Sequence, residues 1–252
     1  DRLLRPSSGG GRRIAASVAA IVSAVRTRGD AALLQYARRF DRLEGDLEVS
    51  RDEIEEQAAR VPPGSEVITS AYTFVGTAGG IIAAGCVPVF ADIDPDSYCL
   101  DPRAVEAALS PRTAAILPVH LACSLADMDA LGRLAGRNSL VVIEDCAHAH
   151  GARWRGRRAG SIGQAGSFSL QSTKLLTSGE GGVVTTSDAT IASRLWSLVN
   201  CGRKEPGSDG FPEQMLGHNL RMTEFQAALA RAQEQIAAFA NTVADSGQAV
   251  RL

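Results

Sequence analysis

The chain has 252 residues, of which 45% are hydrophobic and 21% charged, with 25 Gly and 10 Pro, a composition of globular proteins that excludes collagenous, fibrous and disordered classes. Lys+Arg (26) and Asp+Glu (28) nearly cancel to a net charge of -2, so no broad cationic field is available for nucleic acid or an anionic membrane. Apolar runs such as Ala114 to Leu117 fall far below the ~18 residues of a membrane span, and the opening DRLLRPSSGGGRR carries no signal-peptide core, so a cytoplasmic protein is expected.

Beyond the SSGGG stretch, Ile14, Val18, Ile21, Val22 and Val25 form a helical stripe that runs to Arg28. Asp30 opens a second helix bearing Leu33, Tyr36, Ala37 and Phe40. Ser50 and Glu53 make a capping box for a third helix, which stops at Val61-Pro62-Pro63-Gly64. No histidine, lysine or cysteine occurs in this helical segment, and no chemistry is expected of it. From Gly64 the pattern changes. Short apolar strands are predicted over 66–69, 87–91, 114–119, 140–144, 166–170 and 182–186, with helices over 77–84, 101–108, 127–135, 189–199 and 223–243 and an irregular loop over 202–212. Alternating strands and helices predict an α/β fold, a mainly parallel sheet with helices on both faces, and ligands off the carboxyl ends of the strands.

Five cysteines, an odd number without any C-x-x-C pair, disfavour disulfides and a zinc knuckle. Only two of the 26 basic residues are lysines, Lys174 and Lys204, so lysine chemistry has two candidates. One dense cluster is VVIEDCAHAH, with Glu144, Asp145, Cys146, His148 and His150. An extended backbone would bring Cys146, His148 and His150 to one face, a conceivable metal-ligand set. No fourth ligand lies nearby and metal sites seldom occupy one short strand, so no metal is expected and Cys146 reads as a small buried residue. Asp145, at the end of a buried strand, needs a cation or a protonated heterocycle as partner. In GSFSLQSTKLLTSGEGG, Lys174 stands among hydroxyl residues and beside Leu170, Leu175 and Leu176. Partial burial there would depress its pKa and suit it to Schiff-base formation. A lysine, an aspartate for a pyridinium nitrogen, and hydroxyls with backbone amides for a phosphate are the parts of a pyridoxal phosphate (PLP) site.

Residues 64 to 233 resemble the DegT/StrS family of PLP-dependent sugar aminotransferases, a branch of the fold type I transferases. The strings that carry the resemblance are GSEVITSAYTFVGTAGGIIAAGCVPVFADIDPDSYCLDP, LPVHLACSLADMDAL, VVIEDCAHAHGARWRGRRAGSIG, GSFSLQSTKLLTSGEGG and GHNLRMTEFQAALA, in the family's order. The EDCAHAHGA and FSLQSTKLLTSGEGG forms are similar to a subgroup containing aminohydroxybenzoate synthase and the scyllo-inosose aminotransferases of antibiotic biosynthesis.

The resemblance implies that Lys174 is the catalytic Schiff-base lysine and Asp145 the pyridinium partner. It places His148 where many relatives have a glutamine on the ring hydroxyl, Phe74 where an aromatic stacks on the cofactor, and Ser169 where a hydroxyl binds the phosphate. Asn219 and Arg221 fall where relatives reach the cofactor of a second subunit, which implies a homodimer. The implied reaction moves an amino group from glutamate or glutamine to a keto-sugar or keto-cyclitol.

Two departures bear on this. No Ser-Gly-Thr-Ala-type phosphate turn precedes Gly64, and no small C-terminal domain follows the long helix. The stretch IVSAVRTRGDAALLQYARRFDRLEGDLEVSRDEIEEQAARV instead resembles the amino-terminal helices of histidinol dehydrogenase, and ALARAQEQIAAFANTV resembles that family's next helix. The expected organisation is a helical segment over 1–62, a partial aminotransferase large domain over 63–233, and a C-terminal helix and tail over 234–252. Two other readings follow: a non-catalytic remnant of the aminotransferase fold, or a histidinol dehydrogenase-like oxidoreductase, whose zinc ligands have no counterpart here.

Overall fold

The computed structural model describes residues 10–40, 61–122, 124–204 and 216–233. The helix expected after Ser50, most of the loop over 202–212, and the far end of the last helix lie outside them. The chain divides into two compact units, Asp1–Ala58 and Ala59–Leu252.

In the first unit, α1 (Gly10–Arg28) and α2 (Asp30–Phe40) are joined at Gly29. Its φ of +55° is the left-handed turn that ends a helix, a conformation that glycine adopts without steric penalty. The Val25 carbonyl accepts its N–H at 2.8 Å, while the Gly29 carbonyl starts the next helix by accepting from Ala32. Ala32 is buried, whereas the stripe residues Ile14, Val18 and Val22 stay exposed.

The second unit contains β1 (Glu66–Ser70), α3 (Val75–Ala83), β2 (Val87–Ala91), α4 (Pro102–Ala108) and β3 (Thr113–Leu117). There follow α5 (Met128–Asn138), β4 (Val141–Asp145), β5 (Arg153–Trp154), β6 (Arg157–Arg158), β7 (Ala165–Ser169), β8 (Gly182–Thr185) and α6 (Ala189–Val199). A last helix, α7, covers 224–233. Every strand predicted from Gly64 onward is present, within two residues at each end. Helix starts follow local chemistry: the Asp101, Asp127 and Asp188 carboxylates each accept backbone N–H groups of the following turn.

Six strands form one sheet in the order β2-β1-β3-β4-β7-β8, and only β8 runs antiparallel to its neighbour. Successive residues of β1 serve opposite faces. Ile68 aligns with Ile116, and Ile116 with Val142, in a core closed by Val105, Leu131 and Leu134 of α4 and α5. Val67 and Ala115 pack with Ile81 of α3 on the other face. Helices therefore cover both faces, as the alternation of elements requires. The strand order reverses between β1 and β3, so a crevice opens at the carboxyl ends of the sheet.

The connection from β4 to β7 packs tightly. A Cβ on Gly166 would lie 2.3 Å from the Gly160 backbone, and one on Gly163 would lie 2.5 Å from the Val142 carbonyl. Within this connection β5 and β6 form a hairpin absent from the sequence expectation. Its turn residues Arg155 and Gly156 both have positive φ, +48° and +84°. The Arg155 guanidinium is held by Asp129 at 2.7 Å and lies over the Trp154 ring.

Candidate active site

A cavity of about 720 Å³ lies at the carboxyl ends of the strands. It takes Phe74 from the segment after β1, Asp145 and His148 from the end of β4, and Ser169 and Lys174 from the end of β7 and the loop that follows. Residues 100 positions apart in sequence meet here because β1, β3, β4 and β7 run in the same direction and end at one edge.

Phe74 caps α3, and its ring leans over Gly76, where a Cβ would come within 3.0 Å of the ring. The ring is 77% exposed, so it presents an open aromatic face. Asp145 is the last residue of β4 and half-buried. Its Oδ2 accepts the Thr77 hydroxyl at 2.8 Å, and its Oδ1 accepts the Ala147 N–H at 3.1 Å. His148 is exposed, with the Ala122 N–H directed to Nδ1 at 3.5 Å, which leaves Nε2 as the donor nitrogen.

Lys174 is half-buried in a loop that folds on itself. Its N–H bonds to the Gln171 carbonyl, and the Leu170 carbonyl accepts from both Ser178 N–H and Thr177 Oγ1. Of the three leucines expected to bury the lysine, Leu170 is buried but Leu175 is 77% exposed. The α7 segment braces this loop through Gln226, whose side-chain amide donates to the Glu180 carbonyl at 2.9 Å. Asn219 is exposed, is bridged to Asn200 and does not line the cavity. Arg221 donates to the Asn200 side chain at 2.7 Å. Lys204 is exposed and lies outside the cavity lining.

Two expectations need correction. The fully buried, fully paired acid at the end of β4 is Glu144, not Asp145. Alternation along the strand turns Ile143 and Asp145 toward α3 and turns Glu144 into the interior, where it is 0% exposed. The Glu144 carboxylate accepts N–H groups of Gly160, Ile162 and Gly163 and pairs with His120 Nε2 at 3.1 Å. Burial by itself would raise its pKa, but the His120 bond and the three amides hold it below the ordinary carboxylate value.

The second correction concerns Cys146, His148 and His150. They share no strand face, because β4 ends at Asp145 and the chain turns, with Ala149 N–H bonded to the Cys146 carbonyl. Cys146 is instead near His120 and Glu144, their ligand atoms lying within 4.8 Å of one another. Within this trio His120 and Glu144 are joined by a hydrogen bond. Ala126 N–H donates to His120 Nδ1 at 3.3 Å, so Nε2 bears the proton given to Glu144. Burial, with the charges of Glu144 and Asp145 beside it, pushes the Cys146 thiol well above its ordinary value. Its role is the small buried residue expected.

Glu144→Gln sets an amide NH₂ against backbone N–H donors in the interior and is expected to lower stability by about 3 kcal/mol at pH 7. Urea denaturation checks this. Because the folded pKa lies below the reference 4.5, the carboxylate contributes its full share above that pH and loses it as pH falls through the folded value. The gap between parent and variant should therefore narrow below pH 4.5.

An open, mainly parallel α/β sheet that brings one lysine and one aspartate to a cavity at its carboxyl edge defines a class, the fold of the PLP-dependent transferases. The DegT/DnrJ/EryC1/StrS aminotransferase family model matches residues 53–246, and the chain belongs to that family. The histidinol dehydrogenase model matches residues 6–76. Among curated proteins, the chain is 58% identical over 172 residues to a putative L-glutamine:3-amino-2,3-dideoxy-scyllo-inosose aminotransferase of Streptoalloteichus tenebrarius, covering 68% of this chain and 41% of that protein. The chain thus spans about two fifths of the length of the curated relatives it matches. Among solved structures, an aminotransferase from Psychrobacter cryohalolentis aligns with TM-score 0.67 at 38% identity, over 72% of this chain and 48% of that one. 3-Amino-5-hydroxybenzoic acid synthase aligns with TM-score 0.64 at 42% identity, over 72% and 49%.

Thr77, Thr73 and His120 also line the cavity and were not singled out from sequence. Thr77 lies in the TFVGT string, 68 positions from the carboxylate it contacts. Nothing local marks such a pair.

Proposed function

We propose that this chain is the PLP-binding large domain of an aminotransferase that moves the amino group of L-glutamine or glutamate to a keto-cyclitol or keto-sugar. The observation that carries the proposal is the placement of Lys174 and Asp145 in one cavity at the carboxyl edge of the sheet. The donor set fits the cofactor: an amine for its aldehyde, a carboxylate for its ring nitrogen, the Phe74 ring for its face, His148 for its ring hydroxyl and Ser169 for its phosphate. When bound, PLP supplies an electron sink for the amino donor's alpha carbon. Lys174 holds the aldehyde and then takes and returns the alpha proton at Nζ. The Asp145 carboxylate, held by Thr77 and the Ala147 N–H, would face the ring nitrogen and favour a proton there.

The substrate class follows the relatives' names. Glutamine as donor and a scyllo-inosose-type ketone as acceptor place the reaction in aminocyclitol biosynthesis. The organisation in keeping with this reading is a histidinol dehydrogenase-like segment over 1–62 and an aminotransferase domain over 63–233, while the expected C-terminal helix and tail over 234–252 lies outside the described residues. Cytoplasmic location suits such an enzyme, and no helix among the described residues is long and apolar enough to cross a membrane.

The test is optical. Protein mixed with PLP and desalted should keep a visible absorption band, and L-glutamine should bleach it. A colourless protein would favour a non-catalytic remnant, and zinc-dependent reduction of NAD with histidinol would favour the dehydrogenase reading. Asn219 and Arg221, both exposed, suit a second subunit, and a homodimer is expected by light scattering at micromolar concentration with PLP present. A monomer would count against it.

A further inference from the structure

We infer that Thr77 is a positioning residue for Asp145, fixing the direction in which this carboxylate faces the cavity. The inference rests on the proposed PLP site and adds a residue to it. Thr77 sits in the first turn of α3 and is largely buried. Its hydroxyl reaches Asp145 Oδ2 at 2.8 Å and Thr73 Oγ1 at 2.8 Å. A carboxylate only accepts, so Thr77 gives its single proton to Asp145, and Thr73 must then donate to Thr77. This proton order makes Thr73 and Thr77 a two-hydroxyl relay ending on the carboxylate, with each bond polarising the next.

Asp145 has one other anchor among these contacts, the Ala147 N–H on Oδ1 at 3.1 Å, which lies on the turn that follows β4. The two anchors come from different elements, α3 on one face of the sheet and the β4 turn, and together they restrain both oxygens. With Thr77 removed, only the longer contact remains. The carboxylate is then free to swing within the cavity, and a ring nitrogen there meets it at varied angles. Thr77 itself needs no contact with the cofactor.

The experiment compares Thr77→Val, which keeps the shape and deletes the hydroxyl, with Thr77→Ser, which restores it. In cofactor-free protein, side-chain coupling constants of labelled Asp145 should report one rotamer in the parent and in Thr77→Ser, and averaging in Thr77→Val. A single rotamer in Thr77→Val would overturn the inference whether or not the protein takes up PLP. In the PLP-treated protein, Thr77→Val should weaken PLP retention about tenfold or more and alter the visible band, because a hydrogen bond to a charged group is lost, while Thr77→Ser stays near the parent. Equal PLP affinity and an equal band in Thr77→Val would also overturn it. If the parent binds no PLP, the functional reading falls and the rotamer comparison still decides the role of Thr77.

Discussion

Lys174→Ala is expected to abolish the visible band and any borohydride-fixed label, and to lower amino transfer by about three orders of magnitude or more. Two losses combine. The covalent hold on the aldehyde disappears, and with it the group that moves the alpha proton, and a positioned acid or base alone contributes about 10²–10⁴-fold. The only other lysine, Lys204, is exposed and outside the cavity lining, so it has no route to compensate. Lys204→Ala therefore serves as the control and should leave the band unchanged. Loss of the band in both variants, or in neither, would remove Lys174 from the site. Stability should change little, since Lys174 is half-buried and its loop is held by backbone bonds through Leu170.

Asp145→Asn keeps the shape of the side chain and removes its charge. The ring nitrogen then has no anion to keep it protonated, so the half-reaction with L-glutamine should slow by about two to three orders of magnitude, each ~1.4 kcal/mol of lost charge stabilisation giving a factor of ten. PLP should still attach through Lys174, with lower affinity. If Asp145 only shaped the end of β4, the substitution would lower the melting temperature and leave the half-reaction nearly as fast as in the parent. Glu144→Gln supplies the contrast: it should act mainly on stability, because the Glu144 carboxylate is turned inward to Gly160, Ile162, Gly163 and His120. Together the two substitutions separate adjacent acids that the bare sequence presents as equivalent.

How much of this was legible follows from how far each signal travels along the chain. Strands and helices from Gly64 onward were readable because their causes are local: apolar runs bounded by turn residues, and an aspartate one position before each of α4, α5 and α6. The hairpin at 153–158 was not. Its turn is Arg-Gly rather than Asn-Gly or Asp-Gly, and the positive φ of Arg155 is accompanied by an ion pair to Asp129 and by the Trp154 ring, one of them on a different element. Lys174 stood out by composition, being one of two lysines, and Asp145 as a carboxylate at a strand end, whereas the roles of Phe74, His148 and Ser169 entered by resemblance to a family. The convergence of these five on one cavity is a property of the parallel sheet.

By itself the sequence determined the order of elements from Gly64 onward, the α/β class and the family, because periodicity, capping and short motifs are written in neighbouring residues. Tertiary structure alone decided which acid at the end of β4 is buried, that Cys146 meets Glu144 and His120 rather than His148 and His150, and that Thr77 holds Asp145. Those outcomes depend on strand register, on the side to which each residue alternates, and on contacts made across 24 to 68 positions of the chain. No local pattern encodes such distances, since they are set only when the sheet closes its core.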